Sequence, residues 1–95
     1  LKEAEVTLEE AFGQVLRQIR QDQKISQEKL GFESGYHRTY IGLLERGRKS
    51  PSLATIFTLA NTLSIKASIM IERVEELIGP DLQALKGKTN EDRDH

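Results

Sequence analysis

Apolar residues recur with the period of an α-helix along most of this chain. Near the N-terminus they stand three or four positions apart, at Leu8, Ala11, Phe12, Val15, Leu16 and Ile19. This spacing predicts an amphipathic helix that runs to about Asp22. Thr7 and Glu10 have the spacing of a capping box at its start. The longest runs of β-branched residues are short and have helical spacing, so an all-α fold is expected.

Caps and glycines divide the next segment into two short helices. Ser26 is the expected N-cap of a second helix, which ends near Ser34, before Gly35. His37 occupies the N-cap position of a third helix, although serine or aspartate is commoner there. Gly47 occupies the C′ position, where a glycine commonly ends a helix, and is expected to end the third helix.

Two more helices are predicted towards the C-terminus. Pro51 and Ser52 open a fourth helix, and a fifth begins near Ala67 and stops at Gly79-Pro80. The residues expected on the inner face of the fourth helix are Leu53, Ile56, Phe57, Ala60 and Leu63. Beyond Leu85 the sequence is polar and charged, which predicts disorder. We therefore expect one domain over residues 1–79 and a flexible charged tail over residues 80–95.

The second and third helices meet at Gly35 as a helix-turn-helix does. Glycine tolerates the positive φ of a sharp turn, and apolar Leu30, Ile41 and Leu44 allow both helices to close on one core. The positions left outside, where a duplex could be met, are Gln27, Arg38, Thr39 and Leu43.

Residues 26–50, SQEKLGFESGYHRTYIGLLERGRKS, resemble the Cro/phage-repressor-like helix-turn-helix family, also called the xenobiotic-response-element family. The resemblance covers roughly residues 8–71. It implies a five-helix repressor-like bundle that binds double-stranded DNA through the major groove. It also implies that Glu45 points inward and pairs with Arg20.

The resemblance assigns DNA contacts to individual positions. Base-reading roles fall on Arg38, Thr39 and Leu43, since bases are read near the start of a recognition helix. Phosphate contacts are expected from Gln27, Tyr40, Arg46, Arg48, Lys49 and Ser50. For Tyr40 two roles stay open, because its hydroxyl can reach a phosphate or its ring can pack over the turn.

Gly31 and Gly42 lie inside the second and third predicted helices, where each costs about 1 kcal/mol relative to alanine. Gly31 occupies a family position that carries a small residue because the third helix crosses there. Gly42 lies on the outward side of the third helix, where the sequence offers no packing reason for it. It either allows close approach to a groove or is simply tolerated.

The net charge of −1 conceals an uneven distribution. Residues 11–50 contain eight lysines and arginines against four acids, which gives +4 and leaves −5 for the remainder. A basic central block in an acidic chain favours phosphate binding at that block.

The fifth helix carries a broad apolar arc, which predicts a two-fold homodimer on a roughly palindromic operator. The residues assigned to dimerisation are Ile69, Met70, Val74, Leu77 and Ile78. The alternative to a dimer is that Leu82 and Leu85 of the tail fold back and cover the apolar arc of the fifth helix.

Composition argues against other classes of protein. Cysteine is absent, which excludes disulfides and thiolate metal sites and fits the cytoplasm. No apolar run approaches the roughly 20 residues of a membrane span. The sequence shows no catalytic constellation, no metal-ligand spacing, and no sign of a cofactor or small-molecule ligand.

A sequence-specific transcriptional regulator is therefore the leading interpretation. The stretch from His37 to Ile41, followed by Glu45-Arg46-Gly47, looks like the controller proteins of restriction–modification systems. Two alternatives stay open: an antitoxin whose tail binds a toxin, and a protein-binding adaptor that uses the same fold without DNA.

Overall fold

The computed structural model describes residues 6–79, which form five α-helices and no strand. The helices are α1 (Leu8–Asp22), α2 (Gln27–Ser34), α3 (Arg38–Glu45), α4 (Leu53–Thr62) and α5 (Ala67–Ile78). The all-α prediction and all five helices are confirmed. The predicted tail lies outside the described residues.

The predicted helix ends are also confirmed. At the start of α1, the Glu10 amide donates to Thr7 Oγ1 at 3.0 Å and the Thr7 amide donates to Glu10 Oε1 at 3.1 Å. Gly35 has a φ of 87°, in the left-handed region, and lets the chain turn from α2 towards α3. Such caps satisfy backbone groups that a helix end leaves without partners.

α1 lies at the centre of the bundle and packs against both α3 and α5, while α2 packs against α3. The largest side chains that are fully buried come from all five helices, and are Leu16, Leu30, Ile41, Leu44, Leu59, Leu63 and Met70. Burial of each such side chain contributes about 1.5–3 kcal/mol. The helix-turn-helix is therefore held in place by the same core that stabilises the whole bundle.

Two glycines mark places where backbones touch. A Cβ on Gly31 would lie 2.5 Å from the Tyr36 carbonyl oxygen and 3.1 Å from the Arg38 nitrogen, so the predicted close packing is confirmed. A Cβ on Gly13 would lie 2.5 Å from the Glu45 carbonyl oxygen, and closer still to that of Leu44. Sequence reasoning missed this second contact, which places α1 directly against the end of α3.

The predicted inner face of α4 is partly wrong. Ala60 and Leu63 are buried and Ile56 is half-buried, but Leu53 is 70 % exposed and Phe57 is 57 % exposed. Inward positions belong instead to Leu59 and to a threonine, Thr55. Threonine is accepted there because its hydroxyl takes part in hydrogen bonds with Ser52 and Tyr36.

The apolar arc of α5 is largely used within the chain itself. Met70 is fully buried and Val74 is 4 % exposed, so their assignment to a dimer surface is wrong. Ile69 and Ile78 are half-buried, and Leu77 is 45 % exposed. Only part of the predicted dimer surface on α5 is therefore available to a partner.

Within residues 6–79, no single helix has both the length and the apolar character needed to cross a membrane. α4 and α5 pass that test only when taken together, and they meet at a bend of 111°.

Candidate nucleic-acid interface

The first turn of α3 projects from the bundle. Arg38 and Thr39 are exposed, and Leu43, one turn further on, is half-buried. The imidazole of His37 caps this end, because its Nδ1 accepts a hydrogen bond from the Thr39 amide at 3.0 Å. Histidine thus fills the N-cap position as predicted, and the start of α3 is fixed.

The Arg38 guanidinium is held only loosely. Its Nη1 lies 3.7 Å from Glu28 Oε1, and the side chains of the two residues are 64 % and 74 % exposed. An exposed pair of this kind contributes only about 0–1 kcal/mol. Arg38 can therefore leave Glu28 and offer two parallel donors to guanine O6 and N7.

A buried ion pair fixes the far end of α3 to α1. Arg20 donates from Nε to Glu45 Oε2 at 2.7 Å and from Nη2 to Glu45 Oε1 at 2.9 Å. Arg20 also donates from Nη1 to the Ile25 carbonyl at 2.9 Å. The hydrogen bond to Glu45 raises the pKa of Arg20, and burial of the guanidinium opposes that rise. The carboxylate points inward, as the family resemblance implied, and does not face the exposed side of α3.

Gln27 joins the same network from the first position of α2. Its Nε2 donates to Glu45 Oε1 at 2.9 Å, so one of its side-chain donors is already engaged. The second amide hydrogen and the backbone N–H, at the positive end of the α2 dipole, are the groups suited to a phosphate. The structure brings Gln27 beside α3, and its phosphate contact stays a prediction.

The sequence offered no packing reason for Gly42 on the outward side of α3, and the structure supplies one. Gly42 is buried, and a Cβ there would lie 3.2 Å from Arg46 Nη1 and 3.7 Å from Gln27 Oε1. Two polar side chains therefore cross over this glycine. Its small size leaves room for them on the outer side of α3.

Basic residues follow α3 in an ordered turn. Arg46 is the C-cap, and Gly47 comes next with a φ of 73°. The Gly47 amide donates to the Leu44 carbonyl at 3.1 Å, and the Arg48 amide donates to the Leu43 carbonyl at 2.9 Å. This pair of bonds is a Schellman motif. It sets the direction in which the chain leaves α3, and Arg46, Arg48, Lys49 and Ser50 are all exposed there.

The ring of Tyr40 packs over the turn, which was one of its two proposed roles. Its centroid lies 5.1 Å from that of Tyr36, with the ring planes inclined at 49°. The Tyr36 hydroxyl in turn donates to Thr55 Oγ1 at 3.1 Å. Sequence reasoning missed this link between the turn and α4. The sequence feature that could have indicated this link is the spacing of Ser52 and Thr55, three positions apart at the start of α4. The Thr55 amide donates to Ser52 Oγ at 3.0 Å.

The predicted contacts on α2, on α3 and in the turn after α3 lie near one another, because Gln27 and Arg46 both approach Gly42 and Arg38 lies beside Glu28 of α2. In the part of the chain that the structure describes, no group of three or more histidine or acidic side chains could hold a metal ion.

A family model described as helix-turn-helix matches residues 16–69, which is more than half of the chain. The chain belongs to the helix-turn-helix family. This match confirms the resemblance to Cro and phage repressors, and it includes every residue assigned here to DNA contacts.

Three relatives show which members of this family the chain is similar to. It is 42 % identical to "Control protein C.BamHI" of Bacillus amyloliquefaciens over 62 residues, 64 % of this chain and 76 % of that protein. It is 35 % identical to "Control protein C.SmaI" of Serratia marcescens over 66 residues, 70 % of this chain and 79 % of that protein. The crystal structure of the restriction–modification controller protein C.AhdI from Aeromonas hydrophila superposes with a TM-score of 0.64 at 42 % identity. The superposition covers 65 % of this chain and 94 % of the C.AhdI chain.

Proposed function

We propose that this chain is a sequence-specific transcriptional regulator that binds double-stranded DNA. It acts in the cytoplasm, as a homodimer on a roughly palindromic operator, and performs no catalysis. The observation that carries the proposal is the exposed and capped start of α3, a helix whose far end is held against α1 and α2 by the hydrogen bonds of Glu45 with Arg20 and Gln27.

An α-helix fits the major groove of DNA, which is about 12 Å wide, and residues near its N-terminus reach the base edges. Arg38 supplies a bidentate contact to guanine. Thr39 supplies a hydroxyl for a base or phosphate and a methyl group for thymine. Leu43 is half-buried and has no donor, so its contact is an apolar one with a thymine methyl.

The groups around α3 bind the phosphates on either side of the groove. Gln27 does so from the α2 N-terminus, and Arg46, Arg48, Lys49 and Ser50 do so after α3. Contacts of this type position a protein on DNA without reading sequence. Because Glu45 is neutralised by Arg20 inside the bundle, it does not repel the duplex.

Within this class, we assign the chain to the controllers of restriction–modification systems. Identities of 42 % and 35 % to two control proteins, and of 42 % to a third whose structure is known, support the assignment. Such a regulator needs no cofactor, metal or small-molecule ligand for binding.

Two-fold symmetry follows from how such helices meet DNA. A homodimer places two recognition helices one helical turn apart, about 34 Å, and its operator then shows matching half-sites.

The proposal is tested by selecting bound sequences from a random duplex pool with the purified protein. We expect enrichment of an inverted repeat with half-site centres about 10 base pairs apart. Affinity for that site should fall steeply as salt rises, because binding releases counterions from the phosphates. A pool that stays random after selection, or binding that is weak and independent of salt, would contradict the proposal and favour a protein-binding adaptor.

A further inference from the structure

His37 is an unusual residue for the position that it occupies. It is the N-cap of α3, and its Nδ1 accepts a hydrogen bond from the Thr39 amide at 3.0 Å. Serine, threonine, aspartate and asparagine are the preferred residues at an N-cap, and each of them can accept a bond of this kind. Capping alone therefore does not account for an imidazole here. The ring also carries a second nitrogen, which lies further from the backbone than any atom of those shorter side chains.

The cap determines which nitrogen of the ring carries the proton. An amide N–H donates to Nδ1 only when Nδ1 is unprotonated, so the proton of the neutral imidazole lies on Nε2. The two nitrogens lie on opposite edges of the ring. Because Nδ1 faces the first turn of α3, the Nε2 hydrogen is directed away from that helix. His37 is therefore an acceptor towards its own helix and a donor towards its surroundings.

The Nε2–H donor is not used within the described part of the chain. His37 is exposed, and in residues 6–79 its ring makes no hydrogen bond other than the one with Thr39. An exposed donor of this kind bonds to water, and exchanging that water for another acceptor leaves no group unsatisfied. The ring can thus bind a ligand without giving up the cap of α3.

The imidazole lies beside residues that are already assigned to DNA. Arg38, the next residue, is assigned to a base, and its Nη1 lies 3.7 Å from Oε1 of Glu28 on α2. The starts of α2 and α3 are therefore neighbours, and Gln27 at the start of α2 is assigned to a phosphate. His37 precedes the first turn of α3, so it stands at the edge of the groove that this helix enters. The sugar–phosphate backbone forms that edge.

We propose that His37 is a further DNA-contacting residue, and that its Nε2–H donates a hydrogen bond to a phosphate oxygen at the edge of the major groove. This inference rests on the proposed function. Phosphate oxygens accept bonds from uncharged side chains as well as from lysine and arginine, and such bonds fix the orientation of a protein on DNA. One imidazole then fixes the start of the recognition helix and ties that start to the DNA backbone.

Two substitutions separate the cap from the DNA contact. His37→Ser keeps a favoured N-cap residue and removes the outer donor, because the serine hydroxyl stays close to the backbone. His37→Gln gives up a favourable cap and keeps an N–H donor on a side chain of similar length. Gln14→Ala is the matched control, since it removes an exposed amide donor where α1 lines a groove with α5. Thermal melting followed by circular dichroism verifies that each full chain is folded.

Affinity is measured by fluorescence anisotropy at about pH 8.5, above the range in which histidine ordinarily changes charge. We expect His37→Ser to melt no lower than the wild type and to bind a duplex with one half-site about tenfold more weakly. The salt dependence of its affinity should be unchanged, because a neutral donor releases no counterion. His37→Gln should bind more tightly than His37→Ser despite a lower melting temperature, and Gln14→Ala should bind as the wild type does.

The outcomes separate this inference from the proposed function. If the wild type selects an operator and folded His37→Ser binds it equally well, the His37 contact fails and the proposed function stands. The same holds if His37→Gln binds no more tightly than His37→Ser. A changed base preference of His37→Ser in selection from a random pool would overturn the phosphate contact, because contacts with phosphates do not read sequence. A wild type that selects no sequence would contradict the proposed function, and the His37 contact with it.

Discussion

Replacing Glu45 with alanine tests whether the buried ion pair holds α3 in place. The substitution removes the acceptors of two bonds from Arg20, at 2.7 and 2.9 Å, and of one from Gln27. The Glu45 side chain is 1 % exposed and that of Arg20 is 10 % exposed, so water cannot readily replace the lost carboxylate. Leaving one partner of a buried pair without the other costs about 3–5 kcal/mol.

A loss of that size is a large share of the total stability of a small domain, about 5–15 kcal/mol. We expect the melting temperature of Glu45→Ala to fall by at least about 12 °C, measured by circular dichroism at 222 nm. The paired replacement of Arg20→Met with Glu45→Leu should recover most of that loss, because it buries apolar groups and leaves no unpaired charge. A loss below about 1 kcal/mol for Glu45→Ala, or a double variant no more stable than Glu45→Ala, would refute this reasoning.

Four further predictions concern the DNA surface and the packing of α3. Arg38→Ala should lose about 1–3 kcal/mol of discrimination at one base pair in each half-site, measured by selection from a random pool. Arg48→Ala with Lys49→Ala should weaken binding to all sequences alike and reduce the salt slope by up to about 2, measured by fluorescence anisotropy. Gly13→Ala should destabilise the fold by about 1–3 kcal/mol in urea unfolding, because its Cβ meets backbone carbonyls. Gly42→Ala should cost less or stabilise α3, because its Cβ meets only the ends of flexible side chains and glycine is a poor helix former.

Matched variants make these outcomes decisive. Glu28→Ala removes the surface neighbour of Arg38 and should leave base preference unchanged. Arg17→Ala with Arg73→Ala also removes two positive charges, but from exposed positions on α1 and α5. This control should preserve most of the dependence of DNA affinity on salt concentration. Equal slopes for the two double variants would remove the turn after α3 from the interface. Equal stability losses for Gly13→Ala and Gly42→Ala would contradict the contacts described for the two glycines.

Local signals predicted the ends of the helices correctly. Thr7, Ser26 and Ser52 cap helices as their sequence positions indicated, and Gly35 and Gly47 adopt the positive φ that ends a helix. Each of these features depends on only a few neighbouring residues, so the sequence alone is sufficient to predict it.

Which face of a helix is buried depends on the whole bundle, and there the sequence was less informative. α4 has no charged residue to mark its solvent side, so a stripe containing Leu53 and Phe57 looked as apolar as the true inner face. Thr55 is buried because its hydroxyl has a partner in Tyr36, a contact that spans 19 positions. On α5, the arc was assigned to a partner although Met70 and Val74 belong to the protomer's own core.

The exposed residues of the candidate DNA surface were predicted more fully than the packing contacts that hold α3 in place. Arg38 and Thr39 are exposed, and so are Arg46, Arg48, Lys49 and Ser50 in the turn after α3, as DNA contact requires. The close approach at Gly13 and the covering of Gly42 could not be predicted, because each depends on how a distant helix or a long side chain crosses the glycine.

Methylation protection on the selected operator tests the central claim most directly. Dimethyl sulfate attacks guanine N7 in the major groove and adenine N3 in the minor groove, so it reports which groove is occupied. If α3 reads bases through Arg38, the bound protein should protect one guanine N7 in each half-site, and Arg38→Ala should lose that protection while still binding. Protection confined to adenine N3, or protection of guanine N7 that persists in Arg38→Ala, would contradict the account.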